Sequence, residues 1–171
     1  MKLVQALKAV KANLGKIEDL TQKIAKNSAH LSIETPEYKD TTAQINEWLQ
    51  SIHDTTKENV RLLLAIQKTN HATNVAIKMT NGNMVEKSIA EWVLRRREYS
   101  KYDLAAYQGL TDRNLRDQKI KSTSGGPDTE VKVVRNFDPR KRDEKILEFK
   151  SEPQLIDAAL EVASAITDLL E

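Results

Sequence analysis

The spacing of apolar residues in the first 31 positions is the feature that most restricts how this chain can fold. The apolar residues recur at alternating intervals of four and three positions, at Leu3, Leu7, Val10, Leu14, Ile17, Ile24 and Leu31. Thr21 and Ser28 occupy the two positions of this series that lack an apolar residue. A sustained period of about 3.5 residues places them on one stripe of a helix and is typical of coiled coils. We therefore expect a first helix that ends near residues 27–31 and carries one long apolar seam.

A second segment repeats this spacing after Thr35-Pro36, which has the cap and first-turn residues of a helix start. Its seam is predicted at Ile45, Leu49, Ile52, Leu63 and Ile66, with Thr56 and Asn59 as polar interruptions. Other apolar residues widen the stripe, namely Trp48, Val60, Leu62 and Leu64. A stripe of this width predicts more than one packed neighbour and indicates self-association.

The pattern in the middle of the chain predicts a third long helix, from about Met84 to Asn114, whose seam includes Val85, Ile89, Trp92, Tyr99, Ala106 and Leu110. The segment before it, 75–79, is β-prone and reads as a short strand or an extended joint. The stretch "TNGN" that follows is a turn signal.

Two alternating segments, "RDQKIKST" and "TEVKVVRNF", flank a Gly-Gly-Pro-Asp turn and predict a β-hairpin. Asp138-Pro139 then starts a last helix, in which Pro153 predicts a kink or a short break.

The composition supports a helical chain, because it is 30% charged and contains only five glycines and four prolines. We expect an all-α fold of four long antiparallel helices in a coiled-coil bundle, with one β-hairpin between helices three and four. Residues 1–171 are expected to form a single elongated domain from which the hairpin, residues 117–137, projects.

Several function classes are disfavoured by what the chain lacks. It contains no cysteine, its formal net charge is only +2, and it has no Gly-rich phosphate loop or hydrolase motif. Its three histidines are scattered, and none stands in the Glu-x-x-His pairing of di-iron bundles. We expect no enzymatic activity, no cofactor and no metal.

The same composition bears on location and partners. The first 20 residues mix lysine with apolar residues unlike a signal peptide, and no window approaches the roughly 18 apolar residues that cross a bilayer. A cytoplasmic protein is therefore predicted. We do not expect nucleic acid or a membrane as a partner. We expect the chain to associate with copies of itself as a homo-oligomer.

The stretch "EWVLRRREYSKY", residues 91–102, offers a candidate ligand site. On a regular helix Trp92, Arg95, Arg96 and Tyr99 share one face. Guanidinium groups bind phosphate and aromatic rings stack on bases, so this face suits a planar, nucleotide-like anion. Alternatively, the aromatic rings belong to the core and Arg96 pairs with a carboxylate on a facing helix.

A second basic cluster lies on the predicted hairpin and the start of the last helix. Its candidate anion-binding residues are Lys119, Lys121, Lys132 and Arg135. Arg140, Lys141 and Arg142 follow in a first helical turn, where the helix dipole disfavours cations. The alternative is an ordinary solvated face.

The chain also resembles the uncharacterised septicolysin-like family of bacterial helical proteins. The resemblance rests on the opening "MKLVQALK", the segment "AIQKTNHAT", the arginine-rich third helix with tyrosines downstream, the strand pair, and a closing helix that ends "ITDLLE". It implies a mainly helical fold with a small β element and no established activity, and it singles out Thr69, Asn70 and Thr73. Of these, Asn70 joins the candidate ligand-binding residues, although such residues also cap their own helix end.

Two functional hypotheses follow. In the first, the protein is a non-enzymatic homo-oligomer that holds an anionic ligand on the arginine-bearing helix face. In the second, it is a structural scaffold or an assembly component of a bacterial or phage particle, and the arginines form interface ion pairs.

Overall fold

The computed structural model describes residues 1–121, 127 and 129–170. Its elements are, in chain order, α1 (Leu3–Asn27), α2 (Thr41–Ala72), β1 (Asn74–Lys78), β2 (Met84–Ser88), α3 (Ile89–Leu94), a π-helix (Arg95–Tyr99), α4 (Ser100–Gln108), β3 (Gln118–Ile120), β4 (Thr129–Val131) and α5 (Pro139–Ile166). The chain is mostly helical, with small antiparallel sheets of two strands, which confirms the expected fold class.

The Cα positions divide the chain into two compact units. The first comprises Met1–Val75, Ser88–Ala90 and Ala159–Glu171, and the second comprises Ala76–Lys87 and Glu91–Ala158. The expectation of one elongated domain stays a prediction.

In the first unit α1 and α2 pack against each other. They run antiparallel, because Asn13 bonds Asn59 whereas Lys26, near the end of α1, pairs with Glu37, before the start of α2. The segment at 167–170 contacts both the start of α1 and the end of α2, because the Leu3 N–H donates to the Thr167 carbonyl and the Leu170 N–H donates to the Thr69 hydroxyl, both at 2.9 Å. Lys2 adds an ion pair to Asp168 at 2.9 Å.

The buried seam of α1 has the predicted period but a different phase. Its buried or half-buried positions alternate by three and four residues and are Leu3, Ala6, Val10, Asn13, Ile17, Leu20, Ile24 and Asn27. Leu7 and Leu14, which were placed on the seam, are instead 46% and 57% exposed. That part of the prediction is wrong, since a helix with apolar residues on two adjacent rows offers two alternative seams.

The same shift applies to α2. Its buried seam consists of Ile45, Trp48, Ile52, Thr55, Asn59, Leu62, Ile66 and Thr69, whereas the predicted seam residues Leu49 and Leu63 are 51% and 44% exposed. The two seams meet at an amide pair, in which Asn13 Nδ2 donates to Asn59 Oδ1 at 2.9 Å. A polar pair inside an apolar seam favours one register of two helices.

The start of α2 was predicted five residues too early. Thr35 and Pro36 lie in an exposed connection, and the helix begins after Asp40, whose carboxylate accepts a hydrogen bond from the Ala43 N–H at 2.9 Å. An aspartate that accepts this bond satisfies one of the unpaired donors of the first turn.

The predicted third helix is wrong at both ends. Residues 84–88 form β2, which pairs with β1 across a turn at Asn81-Gly82, where Gly82 has a φ of +85°. The helical stretch begins at Ile89 and ends at Gln108. Arg113 and Asn114 both have positive φ, so the backbone there cannot continue a right-handed helix.

The second hairpin was predicted correctly, because β3 and β4 pair antiparallel with Lys119 opposite Glu130. Most of its Gly-Gly-Pro-Asp turn lies outside the described residues. The last helix starts at Pro139 as expected, but α5 continues through Pro153 to Ile166. A break at Pro153 is therefore absent from this helix, and the kink that was its alternative stays a prediction.

Candidate functional site

A π-helix occupies the position where the sequence places its candidate ligand face. The Ser100 N–H donates to the Arg95 carbonyl, the i→i+5 bond of a π-helix, which fits one extra residue into the turn. This rotates the residues on its two sides relative to each other. Trp92 is 1% exposed while Tyr99 is 53% exposed, so the two rings do not form the expected shared ligand face with Arg95 and Arg96.

Arg95 forms a bidentate ion pair with Glu152 of α5. Its Nε and Nη2 atoms donate to the two Glu152 carboxylate oxygens at 2.8 and 2.9 Å, and its Nη1 donates to Asp103 of α4. The Glu152 side chain is only 4% exposed. The hydrogen bond that Arg95 donates to Glu152, opposed by burial and aided by the bond to Asp103, raises the pKa of Arg95 above its ordinary value. Arg95 is therefore held by its own chain.

Arg96 is paired in the same bidentate way, but on the surface. Its Nε and Nη2 donate to the two oxygens of Asp157 at 2.8 and 2.9 Å, and both side chains are about half exposed. This hydrogen bond also raises the pKa of Arg96. We call Arg95, Arg96, Asp103, Glu152 and Asp157 the arginine–carboxylate cluster.

The aromatic partner of Arg95 is Phe149 rather than one of the predicted rings. The Arg95 guanidinium carbon lies 5.6 Å from the centre of the Phe149 ring. The centres of the Phe149 and Tyr107 rings are also 5.6 Å apart. Tyr99 packs edge-on against Tyr102 at 6.2 Å instead. Sequence reasoning missed Phe149, Glu152 and Asp157, because they lie more than 50 positions along the chain and no local pattern connects them to the arginines.

Three of the four candidate cations of the hairpin cluster lie beside carboxylates as well. The amines of Lys119 and Lys132 are 3.6 and 3.9 Å from the same carboxylate, that of Glu130, and Lys121 is exposed. Arg135 makes a bidentate pair with Asp112 at 2.6 and 2.7 Å, and this hydrogen bond lowers the pKa of Asp112. The hairpin therefore presents a surface of mixed charge.

The segment singled out by the family resemblance performs a structural task at Thr69. This residue is fully buried, and its hydroxyl donates to the Ala65 carbonyl at 2.8 Å while accepting the Leu170 N–H. The Thr73 N–H caps the helix by donating to the Thr69 carbonyl, and the Thr73 carbonyl accepts the Ile89 N–H. Asn70, the neighbour of Thr69 in the chain, is half-buried.

A row of exposed leucines lies along the α1–α2 pair. Each follows a buried seam residue by one position, so in two antiparallel helices all of them point to the same side of the pair. They are between 44% and 57% exposed, and we call them the leucine face: Leu7, Leu14, Leu49 and Leu63. Val60, which is 52% exposed, adjoins it.

Among residues 1–121, 127 and 129–170, no group of three or more histidine, aspartate or glutamate side chains is arranged to hold a metal ion. None of the helices within those residues combines the length and the apolar character that crossing a bilayer requires.

The overall fold is similar to that of a crystal structure of a functionally unknown conserved protein from Corynebacterium diphtheriae. The two superpose with a TM-score of 0.59 over 99% of each chain at 18% sequence identity. At this identity the likeness shows the fold alone. No protein-family model and no curated protein sequence matches the chain, and the resemblance to septicolysin-like proteins stays a prediction.

Proposed function

We propose that this protein is a non-enzymatic, helical assembly component that functions as a homo-oligomer. The observation that supports this proposal best is the leucine face. Four leucines with about half of their surface in water lie on one side of the α1–α2 pair. Exposed apolar side chains that cluster on one face mark sites of interaction more often than exposed apolar residues scattered singly.

The proposal includes a coiled-coil geometry for α1 and α2. Both buried seams keep the alternation of three and four residues over their whole length, which favours knobs-into-holes packing. The leucine face extends this apolar surface beyond the two helices, so that further helices packed on it would complete a larger bundle.

The arginines serve a structural purpose in this proposal. Arg95 and Arg96 are both bidentate to carboxylates of α5, so they fasten the π-helix to α5 within one chain. The hypothesis of ion pairs is retained, but with partners in the same chain instead of across a subunit interface.

Anion binding is the second candidate, and its best-placed residue is Arg96, since this side chain is 48% exposed. An anion would have to displace Asp157 from the guanidinium group. This competition makes anion binding a weaker candidate than assembly. Lys119 and Lys132 face the same competition, because both lie near Glu130. The proposal includes a cytoplasmic location and kinship with septicolysin-like proteins.

Native mass spectrometry of the purified protein tests both candidates in one experiment. Assembly predicts a defined oligomer without added mass. Extra mass that is lost on denaturation would support anion binding instead, and the Arg96→Ala variant should then lose that mass while its oligomer persists. A monomer without added mass would contradict both candidates.

A further inference from the structure

Gly15 occupies an exposed position in the middle of α1, next to Leu14 of the leucine face. A Cβ atom at this position would meet nothing within 4 Å among the described residues, and its backbone is helical, so neither space nor conformation in the chain calls for a glycine. Glycine weakens a helix relative to alanine, but it also lets another backbone approach closely. An exposed glycine at this position therefore permits a second helix to approach α1 closely.

A second stripe of residues runs along this outer side of α1. Leu7, Lys11, Leu14 and Glu18 follow each other at intervals of four, three and four residues, and all four are exposed. This spacing places them in line on one helical face, with a lysine and a glutamate on opposite sides of Leu14. Reversing the direction of the helix exchanges the two charges, so the stripe is its own electrostatic complement.

We propose that α1 of a second copy of this chain packs on this stripe in antiparallel orientation, related by a two-fold axis that passes beside Leu14. Each Leu14 then contacts its equivalent, and each Lys11 lies opposite Glu18 of the second copy. Such an interface is self-complementary, as a two-fold dimer requires. Parallel packing would place lysine against lysine and glutamate against glutamate, which is unfavourable.

The α2 leucines extend the same interface. Leu49 and Leu63 lie on the side of the α1–α2 pair that carries Leu7 and Leu14. A dimer through the leucine face therefore brings two helix pairs together and buries apolar surface from all four helices. This inference rests on the proposed assembly function and specifies its partner and geometry.

Sedimentation velocity on the full chain gives the first test, with far-UV circular dichroism to verify the helical content. Leu14→Glu should dissociate the dimer without loss of helix, because the position is exposed in the single chain. Leu147→Glu is the matched control, since Leu147 is a 70% exposed leucine on α5 outside the leucine face. It should leave the dimer intact.

Charge exchange then tests the antiparallel orientation. Lys11→Glu and Glu18→Lys should each weaken association by about tenfold or more, since each puts like charges opposite one another. The double variant that carries both changes should dimerise like the original protein, and an equimolar mixture of the two single variants should form heterodimers.

Gly15→Leu gives a test independent of charge. A leucine there strengthens the isolated helix but separates the two backbones, so we expect unchanged helical content and loss of the dimer. A dimer that tolerates this change would overturn the close approach at Gly15.

The outcomes separate this inference from the function on which it rests. A monomeric original protein would overturn both. An oligomer that survives Leu14→Glu would overturn this interface and leave the assembly function standing. Dissociation by Leu14→Glu without rescue in the double charge variant would overturn the antiparallel pairing.

Discussion

Arg95 on the π-helix and Glu152 on α5 form a two-pronged ion pair with donor–acceptor distances of 2.8 and 2.9 Å, although 57 positions separate them in the chain. The Glu152 side chain is almost entirely buried, whereas the Arg95 side chain retains 22% exposure. A buried carboxylate is tolerated only when its charge is matched, so this pair fixes how the π-helix and α5 are positioned against each other.

Glu152→Gln should therefore lower the free energy of unfolding by about 3 kcal/mol, because it leaves Arg95 only with its more exposed partner Asp103. Urea unfolding followed by circular dichroism at neutral pH measures the loss. Asp157→Asn makes the same chemical change in the exposed pair with Arg96 and should have a much smaller effect. Equal losses in the two variants would contradict the role assigned to burial.

The Asn13–Asn59 hydrogen bond gives a second prediction. Asn13→Leu should destabilise the protein by about 2 kcal/mol, since the amide of Asn59, which is 5% exposed, loses its partner within the seam. The double change to leucine at both positions should recover most of this loss. A double-mutant cycle measures the coupling, and Asn46→Leu on the exposed side of α2 is the control. Additive losses at positions 13 and 59 would argue against the pair.

Thr69 is predicted to hold the C-terminal segment in place. Thr69→Val keeps the shape of the side chain but removes the acceptor of the Leu170 N–H, which should reduce stability by about 1 kcal/mol. Hydrogen exchange at the Leu170 amide should accelerate at the same time. Thr56→Val changes an exposed threonine of the same helix and should alter neither quantity.

A pH-dependent prediction concerns Asp112, whose pKa is lowered from its ordinary value of 3.8 by the hydrogen bond from Arg135. Because the folded protein binds this proton more weakly than the unfolded chain, the pair adds stability above about pH 3.8 and loses it as the pH falls through the folded-state pKa. Carbon-13 NMR titration should show the pKa of Asp112 returning toward 3.8 in Arg135→Gln. Arg116→Gln, a matched change nearby, should leave it depressed.

Local sequence patterns predicted several elements correctly. The end of α1 near Asn27, the hairpin of β3 and β4, and the start of α5 at Pro139 all follow from signals within a few residues of each site. Asp40 shows the limit of such signals, because a capping side chain and a Thr-Pro pair competed within six positions. The hydrogen bond from the Ala43 N–H decided between them.

The seam of α1 illustrates a different limit. Two rows continue the alternation of three and four residues from Leu3, one through Leu7 and Leu14 and the other through Ala6 and Asn13. The spacing alone therefore does not indicate which row is buried. The larger residues were expected inside. The neighbouring helix instead takes the smaller row, since Asn13 meets a matching amide on α2 and the leucines remain on the surface.

The prediction of the candidate ligand face is wrong because the helix is not regular there. Its four residues share a face only if every turn of the helix is regular, and the π-helix inserts an extra residue at Arg95–Tyr99. The carboxylates that hold Arg95 and Arg96 come from α5, and ion pairs between such distant positions depend on how helices pack.

The sequence by itself determined the helical class, the period of the seams and the position of the second hairpin, because each depends on interactions among neighbours in the chain. Tertiary structure decided which row of each helix is buried, that a π-helix divides the arginine stretch, and which carboxylates hold the arginines. These outcomes depend on the surfaces that meet when distant segments pack, and a single segment offers several choices of nearly equal energy.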